Sequence, residues 1–150
     1  MTMTCPLEAH ELERFAAVLN AQLHTDAGAW SLEQRSERGS LEQLVTIYPR
    51  LETPDGEMTV VTVQSRTGYH QLFGCEIALV IEPDEVLFIA KHGRTASSLL
   101  VGAQRTCTLF ANVPLSILQT KLEDLDPAVL LAAMQLSLAE HLLVAESDGR

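Results

Sequence analysis

Residues 91–95, Lys91-His92-Gly93-Arg94-Thr95, gather two permanent positive charges, an imidazole and a glycine into one short loop of an otherwise acidic chain. Such a cluster suits an anion, a phosphate or a carboxylate, through its charge and through backbone amides that a glycine leaves accessible. Lys91, His92 and Arg94 are therefore candidate anion ligands. The competing reading is an ordinary polar loop, because the Gly-rich frame that leads a phosphate-binding loop into a helix is missing. Metal chemistry has less to stand on. The histidines His10, His24, His70, His92 and His141 are scattered, and the nearest pairing, His70 with Cys75, is spaced so that a strand sends the two to opposite faces. Cys75 and Cys107 sit among apolar strand residues, where a buried thiol is inert, and Ser97 and Ser98 lack a nucleophile-elbow pattern. Glu82, Asp84 and Glu85 crowd one turn, and Glu123, Asp124 and Asp126 crowd another. General acid–base work needs two carboxylates across a cleft in unlike environments, so these clusters read as turn formers and aggregation gatekeepers. The chain is expected to be no enzyme, with no metal and no cofactor.

The elements that carry these residues follow from length and pattern. A chain of 150 residues with 47% hydrophobic content is one domain's worth, and residues 1–150 read as a single domain with a polar tail at about 146–150. Twenty acidic against ten basic residues give a net charge of −10, which argues against nucleic acid or an anionic membrane as partner. No apolar run approaches the roughly 18 residues needed to cross a bilayer, and the first twelve residues do not read as a signal peptide. The three cysteines, Cys5, Cys75 and Cys107, are odd in number and far apart, which points to a reduced, cytoplasmic protein. A Cys75–Cys107 bridge requires their strands to be neighbours.

Apolar residues three and four apart, from Leu7 through Leu12, Phe15 and Leu19 to Leu23, predict a helix over 7–24. Residues 25–40 are polar apart from Trp30 and Leu32 and read as a loop. The period then changes from 3.6 to 2. Residues 44–51 (LVTIYPRL) and 58–64 (MTVVTVQ) form a hairpin around the turn Thr53-Pro54-Asp55-Gly56, with Pro49 suggesting an edge strand. A second hairpin joins 73–81 to 86–90 through Glu82-Pro83-Asp84-Glu85, and 106–113 (TCTLFANV) is a fifth strand. Residues 91–105 begin as loop and continue as either a short helix or a strand. Ser116 with Gln119, and Asp126 before Pro127, signal helices at about 116–125 and 127–144. The expected fold class is α+β, an antiparallel sheet of about five strands with an N-terminal helix and C-terminal helices packed on it.

If one helical layer covers one face of that sheet, Leu72, Ala78 and Val80, with one face of the 60–63 segment, point the other way. That is more apolar side chain than a solvated face usually carries, and such patches mark association sites. Cover from loops or from a second helix is the alternative.

The order of helix, antiparallel strands and helix in a small acidic chain resembles the class I chaperones of type III secretion. The closest local likeness runs from Val113-Pro114-Leu115 through Leu118, Leu122, Leu125 and Leu130 towards Ala139-Glu140, and the helix at 7–24 fits the family's leading helix. The resemblance implies a cytoplasmic homodimer without enzymatic activity, whose apolar grooves hold an extended segment of a partner polypeptide. Leu12, Phe15 and Leu19 on the first helix and Val61 and Val63 on the second strand are the candidate partner contacts, with a core role as the alternative. Leu109 and Val113 are the candidate dimer contacts. A small-molecule or anion-binding domain using Lys91 to Thr95 is the rival reading.

Overall fold

A computed structural model describes residues 7–114 of the chain. These residues form a helix, α1 (Ala9–Val18), and nine strands: β1 (Gln22–Asp26), β2 (Ala29–Arg35), β3 (Leu41–Thr53), β4 (Gly56–Ser65), β5 (Tyr69–Phe73), β6 (Cys75–Ile81), β7 (Glu85–His92), β8 (Thr95–Gly102) and β9 (Thr106–Pro114). Strands take up 67% and helix 9%, so this part of the chain is mostly β and the expected α+β class is corrected. The helices expected at 116–125 and 127–144, and the polar tail at 146–150, lie outside the described residues.

The expected single sheet of about five strands is two antiparallel sheets, β1-β2-β3-β4-β5 and β6-β7-β8-β9, each running in sequence order. One residue makes the division. Gly74 has φ +77°, a conformation that L side chains rarely adopt, and it bends the chain so that β5 pairs with β4 while β6 pairs with β7. In the sequence, Gly74 looks like one more position in an alternating run.

The main core fills the space between the sheets. Leu32, Val45, Ile47 and Val63 of the first sheet belong to one buried cluster with Val86, Phe88, Leu99 and Val101 of the second. α1 contributes Leu12 and Phe15 to that cluster and its C-cap contributes Leu19, and the Phe15 ring meets Phe88 edge-on with centroids 6.1 Å apart. The apolar face expected to be an association surface is largely this interior: Leu72 is buried in the cluster, and Ala78 and Val80 pack against it. The face is covered by a second sheet that a one-sheet reading does not contain.

Four local expectations change for identifiable reasons. The helix predicted over 7–24 ends at Val18, because Asn20 takes φ +51° and the amides of Asn20 and Ala21 close back on Ala17 O and Ala16 O. That pair of bonds is a Schellman stop. Residues 22–26 continue as β1, and the segment read as loop holds β2. In β2, Trp30, Leu32 and Gln34 alternate inward with Ser31, Glu33 and Arg35 outward, as the pairing to Ile47, Val45 and Gln43 shows. Residues 91–105 are a strand hairpin and a turn, with no helix. Pro49 does not mark an edge: β3 lies between β2 and β4, and Pro49 occupies a break in register where the Thr59 hydroxyl donates to its carbonyl at 3.0 Å.

The two sheets are also tied by buried amides. Gln34 Nε2 donates to Leu19 O at the end of α1 (3.2 Å) and to Gly102 O on β8 (2.9 Å). Its own Oε1 accepts from Gln43 Nε2 at 2.7 Å, and Gln43 Nε2 also donates to Thr106 O at 3.1 Å. Both glutamines are almost fully buried. Beside them Arg105 and Glu42, each one-third exposed, form an ion pair at 3.3 Å. The sheets are thus joined covalently at Gly74 and clamped at the opposite end of β8.

Candidate functional site

The structure brings the five expected partner contacts together, but in the interior. Leu12, Phe15, Leu19, Val61 and Val63 all lie in the main core with at most 2% of their surface exposed. This burial supports the core role for them and leaves no groove at that place. The expected dimer contacts separate: Leu109 is exposed on β9, whereas Val113 is buried against Phe110 and Leu100 on the far side of the second sheet.

The candidate anion ligands sit at the β7–β8 hairpin tip. Gly93 (φ +64°) and Arg94 are the two central residues, His92 pairs with Thr95, and the Thr95 hydroxyl donates to His92 O at 3.2 Å. A glycine at the first central position is what a type II′ turn requires. Lys91 and His92 are consecutive on β7, so their side chains leave opposite faces of the sheet. His92 lies close to the corner residue, its Cε1 3.8 Å from where a side chain on Gly74 would begin. The glycine is therefore explained by the turn, and the three polar side chains do not converge. Among the described residues no group of three His, Cys, Asp or Glu side chains could hold a metal ion. Cys75 and Cys107 are unbridged, and burial pushes the Cys107 thiol up to about 11.

What the sequence reading missed is β5. Two sheets have four edges, and an open edge is a template for another strand unless something blunts it. β9 carries Pro114 and a break in register around Asn112, which takes φ +53°. β6 has a break between Cys75 and Ile77 and carries Glu76. β1, of the same length as β5, is mostly polar and ends in Asp26. β5, Tyr69-His70-Gln71-Leu72-Phe73, pairs with β4 in unbroken register and has no proline, carboxylate, lysine or arginine.

The hydrogen bonds at its two ends show which way each residue of β5 turns. Ser65 N–H donates to Gly68 O before the strand, and Gly74 N–H donates to Thr59 O after it, each at 2.9 Å. Backbone groups of successive residues in an antiparallel strand face opposite sides, so His70 and Leu72 share the β4 side with Gly68 and Gly74. Tyr69, Gln71 and Phe73 turn their N–H and C=O to the outer edge, where no described strand pairs with them. Their side chains lie together on the outer face of the first sheet. Tyr69 is 54% exposed and Phe73 42%, and Gln71 Nε2 donates to the Tyr69 hydroxyl at 2.9 Å. Register sets Phe73 beside Val60, which is buried, and Val60 beside Tyr48. The signal in the sequence is the pattern aromatic-x-Gln-x-aromatic just before Gly74.

No protein-family model, curated protein or solved structure matches this chain. Among the described residues no helix is long and apolar enough to cross a membrane.

Proposed function

We propose that this chain is a non-enzymatic, chaperone-like or assembly-factor protein that captures an extended segment of a partner polypeptide by strand addition to β5. The observation that carries the reading is the outer edge of that strand: three residues in alternation present backbone donors and acceptors, and two of them add exposed aromatic rings. Main-chain hydrogen bonds supply affinity in such a complex, and alternate side-chain contacts supply selectivity. The preferred segment is extended, with apolar side chains at every second position to lie beside Tyr69 and Phe73. Basic residues around them suit a chain of net charge −10, which would speed encounter more than it tightens the complex. In this reading the protein acts as a homodimer, and Leu109, exposed on β9, offers an apolar contact for the second copy.

Selection from a random peptide library against the full chain tests this. The reading expects recovered peptides with alternating apolar residues, and a Phe73→Ser variant that binds them at least about tenfold more weakly at an unchanged melting temperature. Peptides that bind Phe73→Ser as well as the parent would refute it.

A further inference from the structure

The outer face of the second sheet is as apolar as its inner face. Leu79 and Ile81 of β6, Leu87 and Ile89 of β7, Leu100 of β8 and Phe110 of β9 form or adjoin one cluster, separate from the main core. Leu87 and Ile89 have no exposed surface at all. The first sheet and α1 pack on the opposite face of this sheet, and every described member of the cluster comes from β6–β9. Side chains at zero exposure need a cover, and residues 7–114 do not supply one.

We propose that the occupant of this face is the leucine-rich C-terminal segment of the same chain, residues 115–145. The chain leaves β9 at Pro114, on the edge strand of this sheet, one residue after Val113, which belongs to the cluster. The segment therefore starts at the rim of the face. It carries apolar residues three to four apart, Val129, Leu130, Ala133, Met134, Leu138 and Leu142, enough to form one continuous apolar stripe. Its charges also suit the site: Glu123, Asp124, Asp126 and Glu140 are acidic, while Lys91 stands on the same face of the sheet, paired in register with Ala96. Burial on both faces explains why β7 reads as an unbroken apolar run from Val86 to Ala90, and why consecutive residues of β8 from Ser98 to Gly102 are all buried. The second sheet is then an internal layer, and the open edge at β5 is left as the surface for a partner.

Photo-crosslinking in the full-length protein tests the assignment. p-Benzoylphenylalanine is placed at Phe110, and light and heavy isotopic forms of the variant are mixed before irradiation. The expected adduct joins residue 110 to residues 115–145 of the same isotopic chain. In a second full-length variant, Leu130→Asp with Leu138→Asp, the melting temperature is expected to fall by roughly 10 °C or more, with a rise in binding of a dye for exposed apolar surface. Failure to form the intrachain adduct, adducts joining light to heavy chains, or an unchanged melting temperature in the double variant would each overturn the proposal.

Discussion

Replacing Gln34 by methionine, which keeps the length of the side chain and removes its amide, is expected to loosen the clamp between the sheets. Three hydrogen bonds go: those to Leu19 O, to Gly102 O and from Gln43 Nε2. Not all of them leave an orphan. Gly102 O still accepts from Arg105 N–H at 3.1 Å, and Gln43 keeps its bond to Thr106 O. The Leu19 carbonyl, at the buried end of α1, loses the side-chain donor that reaches it. Two lost bonds at about 1 kcal/mol each and a stranded Leu19 carbonyl at about 1–3 kcal/mol place Gln34→Met at about 3–5 kcal/mol. For a chain of this size that is a fall in melting temperature of roughly 6–20 °C. Gln43→Met breaks the shared bond and the one to Thr106 O. Because either substitution breaks the shared bond, the double variant should cost about 1–2 kcal/mol less than the sum of the singles. Urea denaturation of the four proteins measures this cycle directly. A single-variant cost below about 0.5 kcal/mol, or strict additivity, would refute the claim that these glutamines act as one buried network.

Cys107 is expected to resist alkylation in the native protein at pH 8, since burial holds its thiol protonated up to about 11, and to react on unfolding in urea. The unfolded thiol ionises first, so this group's contribution to stability is intact below the ordinary thiol range and is lost as pH rises through about 11; a melting curve against pH reads the decline. Burial first, and then the neighbouring Asp84, hold the Glu85 carboxyl above its ordinary value, so Glu85 favours the fold only in acid and loses that contribution as pH rises through its folded-state value. Glu85→Gln should therefore raise the melting temperature slightly at pH 7 and leave it unchanged below pH 4. Gln71→Pro removes an amide that faces away from β4 and should cost no more than about 1 kcal/mol in urea, whereas Leu72→Pro, which breaks a ladder bond and empties a core position, should unfold the chain.

How much of this was legible in the sequence depends on what each stretch had to say locally. The hairpins around Thr53-Pro54-Asp55-Gly56 and Glu82-Pro83-Asp84-Glu85 are written in turn chemistry, and both are present as β3–β4 and β6–β7. β2 is hidden because one of its inward positions is Gln34, whose burial makes sense only once Gly102 O and Leu19 O are beside it. β1 is hidden because Ala21 and Leu23 happen to extend the helical spacing of α1 beyond Asn20. β8 has no alternation to find, since both of its faces are buried and Ser98 lies among them. The division into two sheets turns on the backbone of Gly74 and was not visible as composition. Leu12, Phe15, Leu19, Val61 and Val63 were found as an apolar set, and they do cluster. Apolarity alone could not say that a second sheet would cover them. Tyr69 does not stand out in the sequence and Phe73 reads as the start of the 73–81 strand, because the five residues of β5 offer too few positions for a separate period to show.

Amide hydrogen exchange along β5, read residue by residue in the full-length protein, tests the central claim most directly. In the free protein, His70 and Leu72 should be protected by their bonds to β4, while Tyr69, Gln71 and Phe73 exchange fast. Adding a selected peptide should slow those three amides and leave His70 and Leu72 as they were. Protection of Tyr69, Gln71 and Phe73 before any peptide is added, or no change at them when a peptide binds, would contradict capture at this edge.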